Sequence, residues 1–530
     1  MNLIFRPRRA FAHPFGLGLG YALVASALAA AQNGTQLTRM YELIELRAEE
    51  ADAQSRAYAV NSIGQIVGWV EASGNRHSAQ WHNRVTTDLH GTVHFELLHP
   101  YPYYTAGHAE AYDISDAGQV VGTARTLTPS PPCTIAVPVT NAFILRPAVL
   151  TDPATPYPGD ALTNLRTFGD LCAVYDSTAV GISNSNHVVG WADLDGQIMH
   201  AFLVHPVNEN WVLPDANGAN TNLIDLGTLA ASDPVSSATA VNDAGQVTGY
   251  SYTVDPDGTA SYHAFLLTPR DTDDDGLPDQ WSPNPGGVNT LMADLGTLGG
   301  SNSWGRDINN PGEVVGESDF EAPSGAHYTH AFHWQDGTRT DLGTLRDNPR
   351  EGFSAASAIN DSGVIVGWAE DEQRERRAFI YEDGQMTDLN TQLYLLNEDG
   401  SITTPSIVLT EARDINDDGV IVGWGEIKGS DGARTRGFLL NPILVDPRVL
   451  EEAQGDQTGG VTAGTTASGN PTYSSEPDFG PPDDLTTPAA DGDGGDVTPT
   501  AAPTAPGLCG AQSLTLLPLT LTALCRRRKK

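Results

Sequence analysis

One ten-residue pattern recurs seven times along the chain, and nothing else in the sequence restricts the fold as strongly. It reads AVNSIGQIVG (residues 59–68), DISDAGQVVG (113–122), GISNSNHVVG (181–190), AVNDAGQVTG (240–249), DINNPGEVVG (307–316), AINDSGVIVG (358–367) and DINDDGVIVG (414–423). The closing glycines lie 51 to 68 residues apart. A unit this short cannot bury its own apolar face, so copies must pack on one another around a continuous core. Each copy has the chemistry of a β-hairpin: an apolar strand end, a polar turn with Gly, then a β-branched run. Pro311 directly before Gly312 suggests a type II turn, with Pro at i+1 and Gly at i+2. In the third copy Asn186 replaces the turn Gly, and Asn is the residue after Gly that best tolerates a left-handed backbone.

The closing Gly (68, 122, 190, 249, 316, 367, 423) is present in every copy. Gly weakens a strand unless a backbone approaches closely or a bulge is needed, so a shared packing role is expected. A second strand follows with a small residue before an aromatic one, as in Ala142-Phe143, Ala201-Phe202, Ala264-Phe265, Ala331-Phe332, Ala378-Phe379 and Gly437-Phe438. The first copy departs, with Gln80 in place of Phe. A further strand carries Asp-Leu in LIDLGTL (223–229), MADLGTL (292–298) and TDLGTL (340–345), and weaker versions occur at 87–89, 165–169 and 387–389.

The run GTLGGSNSWGRDINNPGEVVGES, followed by HAFHW and TDLGTL, resembles the extracellular HAF-repeat family over roughly residues 40–440. That resemblance implies an exported β-repeat protein and transfers no catalytic residues. Seven units with about four strands each suit an all-β, seven-bladed β-propeller of four-stranded antiparallel blades. A solenoid would need polar capping repeats. Residues 41–46 (YELIEL) read as an Asp-Leu strand without an upstream unit, and the last unit, ending at 438–440, lacks one. The ring is therefore expected to close by pairing this N-terminal strand with the last blade.

The first 31 residues have the parts of a secretory signal: basic Arg6, Arg8 and Arg9, an apolar stretch at 16–28, and small residues at 29–31. A net charge of −37 repels phosphate backbones and anionic lipids, which argues against nucleic acid and against a peripheral membrane role. Four cysteines are too few for a disulfide scaffold. Cys133 and Cys172 flank the second unit on loops of the same face, and export favours their oxidation, so a disulfide between them is expected.

With strands alternating in direction, the Asn-x-x-Gly turns share a face with the loops between the Phe and Asp-Leu strands. Long loops at 123–139, 251–262, 318–328 and 394–410 fall on the other face, where ligand binding is expected. One loop on the turn side, DTDDDGLPDQW (271–281), has Asp271, Asp273, Asp275 and Asp279 at positions 1, 3, 5 and 9, with Gly276 at 6. Alternate carboxylates around a Gly turn converge on a hard cation, so Ca²⁺ is the expected ligand and a solvated acidic loop the alternative. Ser282 stands where an EF-hand has its bidentate Glu. His200, His263 and His330 recur at one repeat position and are read as structural, and Asp417-Asp418 as turn residues. No Ser-His-Asp, P-loop or dinucleotide signature is present. No repeat-breaking residues are singled out at the ring axis.

Beyond residue 442 the composition turns to Gly, Thr, Pro, Asp and Ser, expected as a disordered linker over 443–508. Residues 509–530 combine Cys509-Gly510, a short apolar stretch and a basic end. This resembles the PEP-CTERM group and related Cys-Gly tails, which implies a sorting or processing protease as partner; an unprocessed membrane anchor is the alternative. The expected function is an exported or cell-surface binding or structural module, with glycan or matrix as ligand. The rival is a polysaccharide lyase or hydrolase.

Overall fold

The computed structural model describes residues 38–47, 53–72, 75–82, 94–97, 109–127, 138–146, 162–168, 175–194, 198–216, 218–231, 235–254, 258–394, 405–429 and 432–445. They form seven four-stranded antiparallel sheets. The inner strands run Ser55–Val60, Ala109–Ile114, Ser177–Ile182, Ser236–Val241, Ser303–Ile308, Ser354–Ile359 and Ile407–Ile415. Each touches the inner strand of the next blade, and the seventh touches the first, so the ring is closed. The apolar residues of each blade pack into seven clusters between neighbouring blades. No helix among the described residues is long and apolar enough to cross a membrane.

The last blade is completed from the other end of the chain. Thr38–Leu46 pairs antiparallel with the third strand Gly432–Val445, with Leu43 opposite Leu440 and Leu46 opposite Gly437. Glu45 faces Phe438, the place that Asp225 takes opposite Phe202 and Asp341 opposite Phe332. Tyr41 enters the core between blades 6 and 7, and Leu46 the core between blades 7 and 1.

The turn differs from the type II expectation. In the fifth blade the Gly312 N–H donates to Asn309 O at 3.0 Å, which makes Gly312 the fourth residue of the turn and puts Pro311 at its second central position. The residues at that second central position do not have positive φ, whereas the one after it does, from Asn186 at 63° to Gly312 at 88°. The loop is thus a four-residue turn followed by a left-handed residue, the three-residue hairpin loop with a G1 bulge. The Gly-or-Asn requirement was legible, but its place in the turn follows from that hydrogen bond.

A second irregularity explains the closing Gly. Every inner strand carries an extra residue: Tyr58, Tyr112, Val180, Thr239, Arg306, Ser357 and Arg413. The bulge pushes a carbonyl against the partner strand. A Cβ on Gly190 would meet Thr178 O at 1.9 Å, and those on the other six closing glycines would meet the matching carbonyl at 2.0 or 2.1 Å.

The polar turn residues join the blades. Asn61 Nδ2 donates to Ser115 O, Asn242 to Asn309 O, Asn309 to Asn360 O, Asn360 to Asn416 O, and Asn416 back to Asn61 O at 3.0 Å. One residue further on, each turn N–H from Ser62 to Asp361 donates to the Asp or Asn side chain of the next turn. A Ser that starts an inner strand forms a third tie: Ser236 Oγ donates to Gly227 O and accepts from Ala201 N–H, and Ser55, Ser177, Ser303 and Ser354 act alike.

In blade 2 the Asp-Leu position is Asn164-Leu165, three residues earlier than the alignment of LRTFG (165–169) with LIDLG expects. Asn164 pairs with Phe143, Leu165 is fully buried, and Arg166 takes the left-handed conformation that Gly227 has in blade 3. In blade 1 the outer strand is His94–Leu97, and residues 87–89 lie outside the described residues.

Candidate functional site

The residues that break the repeat meet at the axis, on the end of the inner strands away from the Asn-x-x-Gly turns. Position by position the repeat supplies Gly, Val or Ser, but beside each closing Gly it places Trp69, Thr123, Trp191, Tyr250, Glu317, Trp368 and Trp424. Opposite these stand Arg56, Glu110, Thr178, Ser237, Trp304, Ala355 and Glu411. The bulge residues lie one layer deeper. Tyr58 stacks on Tyr112 of the next blade with ring centres 5.5 Å apart, and meets Trp424 of the preceding blade edge-on at 5.9 Å. Trp69 donates to Tyr58 Oη at 3.0 Å.

Cations and carboxylates are interleaved with these rings. Arg56 lies 4.6 Å above Trp424, Arg76 4.6 Å above Trp69 and Arg376 3.8 Å above Trp368, within the range of cation–π attraction. Glu110 pairs with Arg76 at 3.0 Å, Glu411 with Arg376 at 3.0 Å, and Glu317 with Arg306. Blades 7, 1 and 2 bring Trp424, Arg413, Arg56, Tyr58, Trp69, Glu110 and Tyr112 together, blades 5 and 6 add Trp304, Arg306, Glu317 and Trp368, and blades 3 and 4 set Trp191 and Tyr250 beside the smaller Thr178, Val180, Ser237 and Thr239. Such a surface can stack a planar or sugar-ring face and offer hydrogen bonds of either sense.

Deeper still, Asp113, Asp307 and Asp414 stand where the other blades have Ala or Gly. Each carboxylate ties two blades: Asp113 accepts from Ile114 and Ile182 N–H, Asp307 from Ile308 and Ile359, and Asp414 from Ile415 and Val60. They keep part of their exposure along the axis, although protein surrounds them. Enclosure pushes Asp113 and Asp414 up to about 7 and Asp307 to about 6. The backbone N–H donors oppose it, as does Arg413 at Asp307 and Asp414, while repulsion from the neighbouring axial aspartates adds to it at Asp113 and Asp414 and from Asp361 at Asp307. A carboxyl raised in the folded state binds its proton more tightly there than in the unfolded chain. Its stabilisation is therefore complete below about pH 4 and is lost as pH rises through about 7. His187, His205 and His333, all lowered by burial, act in the opposite sense, so the readout must be a difference. Asp414→Asn should gain on the wild type by about 1 kcal/mol or more between pH 5 and pH 8 in paired melting curves. A pH-independent difference would contradict this.

The sequence reading named no axial residues, and the structure corrects that. The signal was visible in the first letter of the motif, Asp in three copies and Ala or Gly in four.

Of the four aspartates expected around a cation, Asp271, Asp273 and Asp275 bring a carboxylate oxygen within 4.8 Å of one another. Asp279 instead holds the loop shut, accepting from Thr272 N–H and Oγ1. Asp274 and Gly276 are left-handed, and the Gly276 N–H donates to Asp271 Oδ2 at 2.8 Å, which holds Asp271 below its usual carboxylate range. Repulsion from Asp275 raises Asp273. The loop's end is fixed by Trp281, which is buried against His187 and His205 and donates its indole N–H to Gly245 O at 2.8 Å on the turn face. Cys133 and Cys172, between which a disulfide is expected, lie outside the described residues, as do residues 1–37 and 446–530. His200, His263 and His330 each bind the Asp of their own blade's outer strand, Asp225, Asp294 and Asp341, at 2.9 Å.

Residues 350–477 match a family model described as a protein of unknown function, DUF3466. No curated protein matches the chain in sequence. Solved structures match the chain at low identity. The β-propeller domain of the Trilobed protease from Pyrococcus furiosus, described with an open velcro topology, is 7% identical; the match covers 73% of this chain and 93% of that one, with a TM-score of 0.39. A puromycin-hydrolyzing peptidase from Mycobacterium tuberculosis is 11% identical over 77% of this chain and 52% of that one, at 0.35. The α-L-arabinofuranosidase PaAbf62A from Podospora anserina, in complex with cellotriose, is 9% identical over 77% and 97%, at 0.25.

Proposed function

We propose that this propeller is an exported, cell-surface binding module whose glycan or matrix ligand meets the axial mouth. The observation that carries the reading is the mutual contact of Trp69, Trp424, Tyr58, Arg56 and Arg413 from blades 1 and 7 at the axial mouth. Binding fits better than polysaccharide cleavage because Glu110, Glu317 and Glu411 are held by arginines and the three axial aspartates by two backbone donors each. A general acid or base needs a carboxyl within reach of a substrate proton. Export rests on the signal-like N-terminus and on the resemblances to HAF-repeat proteins and to sorting tails. A glycan-array screen of the secreted protein, with lyase and hydrolase assays beside it, tests this: binding without turnover supports the module, and depolymerisation refutes it.

Ca²⁺ in the 271–275 loop belongs to the same reading. Crowded carboxylates, of which Asp273 is raised by its neighbour, are relieved by a hard cation. Millimolar Ca²⁺ should raise the melting temperature by a few degrees, and Asp273→Ala with Asp275→Ala should abolish that rise. Equal melting in Ca²⁺ and in chelator would remove calcium from the account.

A further inference from the structure

Arg413 differs from three other cations of the mouth. Arg76, Arg306 and Arg376 each have a carboxylate at hydrogen-bonding distance. Arg413 has only a 3.5 Å approach to Glu411 Oε1, while the other oxygen of Glu411 is taken by Arg376. Among the described residues its guanidinium donates no hydrogen bond, and its side chain keeps 22% exposure. Its guanidinium carbon lies 5.6 Å from the Tyr58 ring centre and 5.8 Å from that of Trp424. Aromatic faces hold a guanidinium while leaving its in-plane N–H groups available, the arrangement that suits two-pronged recognition of an oxyanion. Arg413 stands in the bulge, so its side chain belongs to the axis rather than to the core between blades.

The carboxylates of Asp307 and Asp414 feel the charge of Arg413 but make no hydrogen bond to it. Asp307 and Asp414 each accept two backbone N–H donors, and enclosure favours their protonated forms.

We infer that Arg413 recognises an anionic group, a carboxylate or a sulfate, on the glycan bound at the axial mouth. This rests on the glycan-binding reading above and adds the chemical class of the ligand. In a chain of net charge −37, an anionic polymer is repelled by most of the surface, so productive approach is confined to the mouth.

The test uses the full secreted chain with three polymers: polygalacturonate for carboxylate, dextran sulfate for sulfate, and neutral dextran. At least one charged polymer should bind in a salt-sensitive way and dextran should not. Charge-assisted hydrogen bonds set the expected loss in Arg413→Gln at about tenfold or more. Arg413→Lys should keep part of the affinity, and Arg350→Gln, at an exposed arginine far along the chain, should change nothing. Melting temperatures are read beside each binding curve; if Arg413→Gln melts early, the Arg413→Lys and salt series decide. Dextran bound as well as the charged polymers, or Arg413 variants that are folded and bind like wild type, would overturn the anionic assignment and leave glycan binding standing. No binding to any of the three would overturn both.

Discussion

Gly190→Ala is expected to destabilise the ring by about 3 kcal/mol or more, a large value for the loss of no contact at all. The added Cβ would stand 1.9 Å from Thr178 O, and that carbonyl cannot retreat because Thr178 is held in register against Trp191 just before the bulge. The substitution must either undo the extra residue or separate the inner strand from its neighbour. Gly437→Ala is the matched control. Gly437 occupies the place that Ala has in Ala201-Phe202 and its counterparts, and its nearest contact for a Cβ is 3.3 Å. It should change stability by about 1 kcal/mol or less. Urea midpoints for the two variants check this, and equal midpoints would contradict the bulge explanation.

How much of this was legible in the sequence depends on what each residue does. Seven copies of one hairpin, the shared Gly and the unpaired strand at 41–46 determine blade number and closure, because each is a property of the chain's own pattern. The Asn and Asp of the turns could be seen to recur, yet their role was not visible. Asn416 and Asn61 are partners only once the ring brings the seventh turn beside the first. The same holds for the axis. Tyr58, Tyr112, Arg413 and Trp424 look unrelated along the sequence and become neighbours because the bulge turns the first three inward, toward the Trp beside the closing Gly423. The turn type was misread because Pro311 was given the first central position, where Pro is favoured; the hydrogen bond from Gly312 to Asn309 places it second. In the acidic loop, spacing alone put Asp279 with the other three, and the structure shows its carboxylate also accepting from Thr272.

The central claim is that one ring is tied shut by its two chain ends. Removing residues 38–46 should take away all nine register pairs with the third strand of the last blade. It would also strip Tyr41 from one inter-blade core and Leu46 from the next, with Leu43 and Ile44 packed beside them. At roughly 1.5–3 kcal/mol for each large apolar side chain returned to water, the loss is on the order of 5 kcal/mol or more. That is comparable with the whole stability of an ordinary domain, about 5–15 kcal/mol, so the shortened chain should lose cooperative folding at moderate temperature. Deleting residues 451–507, a longer segment almost without large apolar residues, should leave melting unchanged.

Amide hydrogen exchange of the intact protein tests that claim most directly, because exchange rates report the stability of each strand separately. If the N-terminal strand closes the ring, amides in 38–46 that face the last blade should exchange as slowly as those of residues 436–440. Exchange of 38–46 within seconds, while 436–440 stays protected, would contradict the closure.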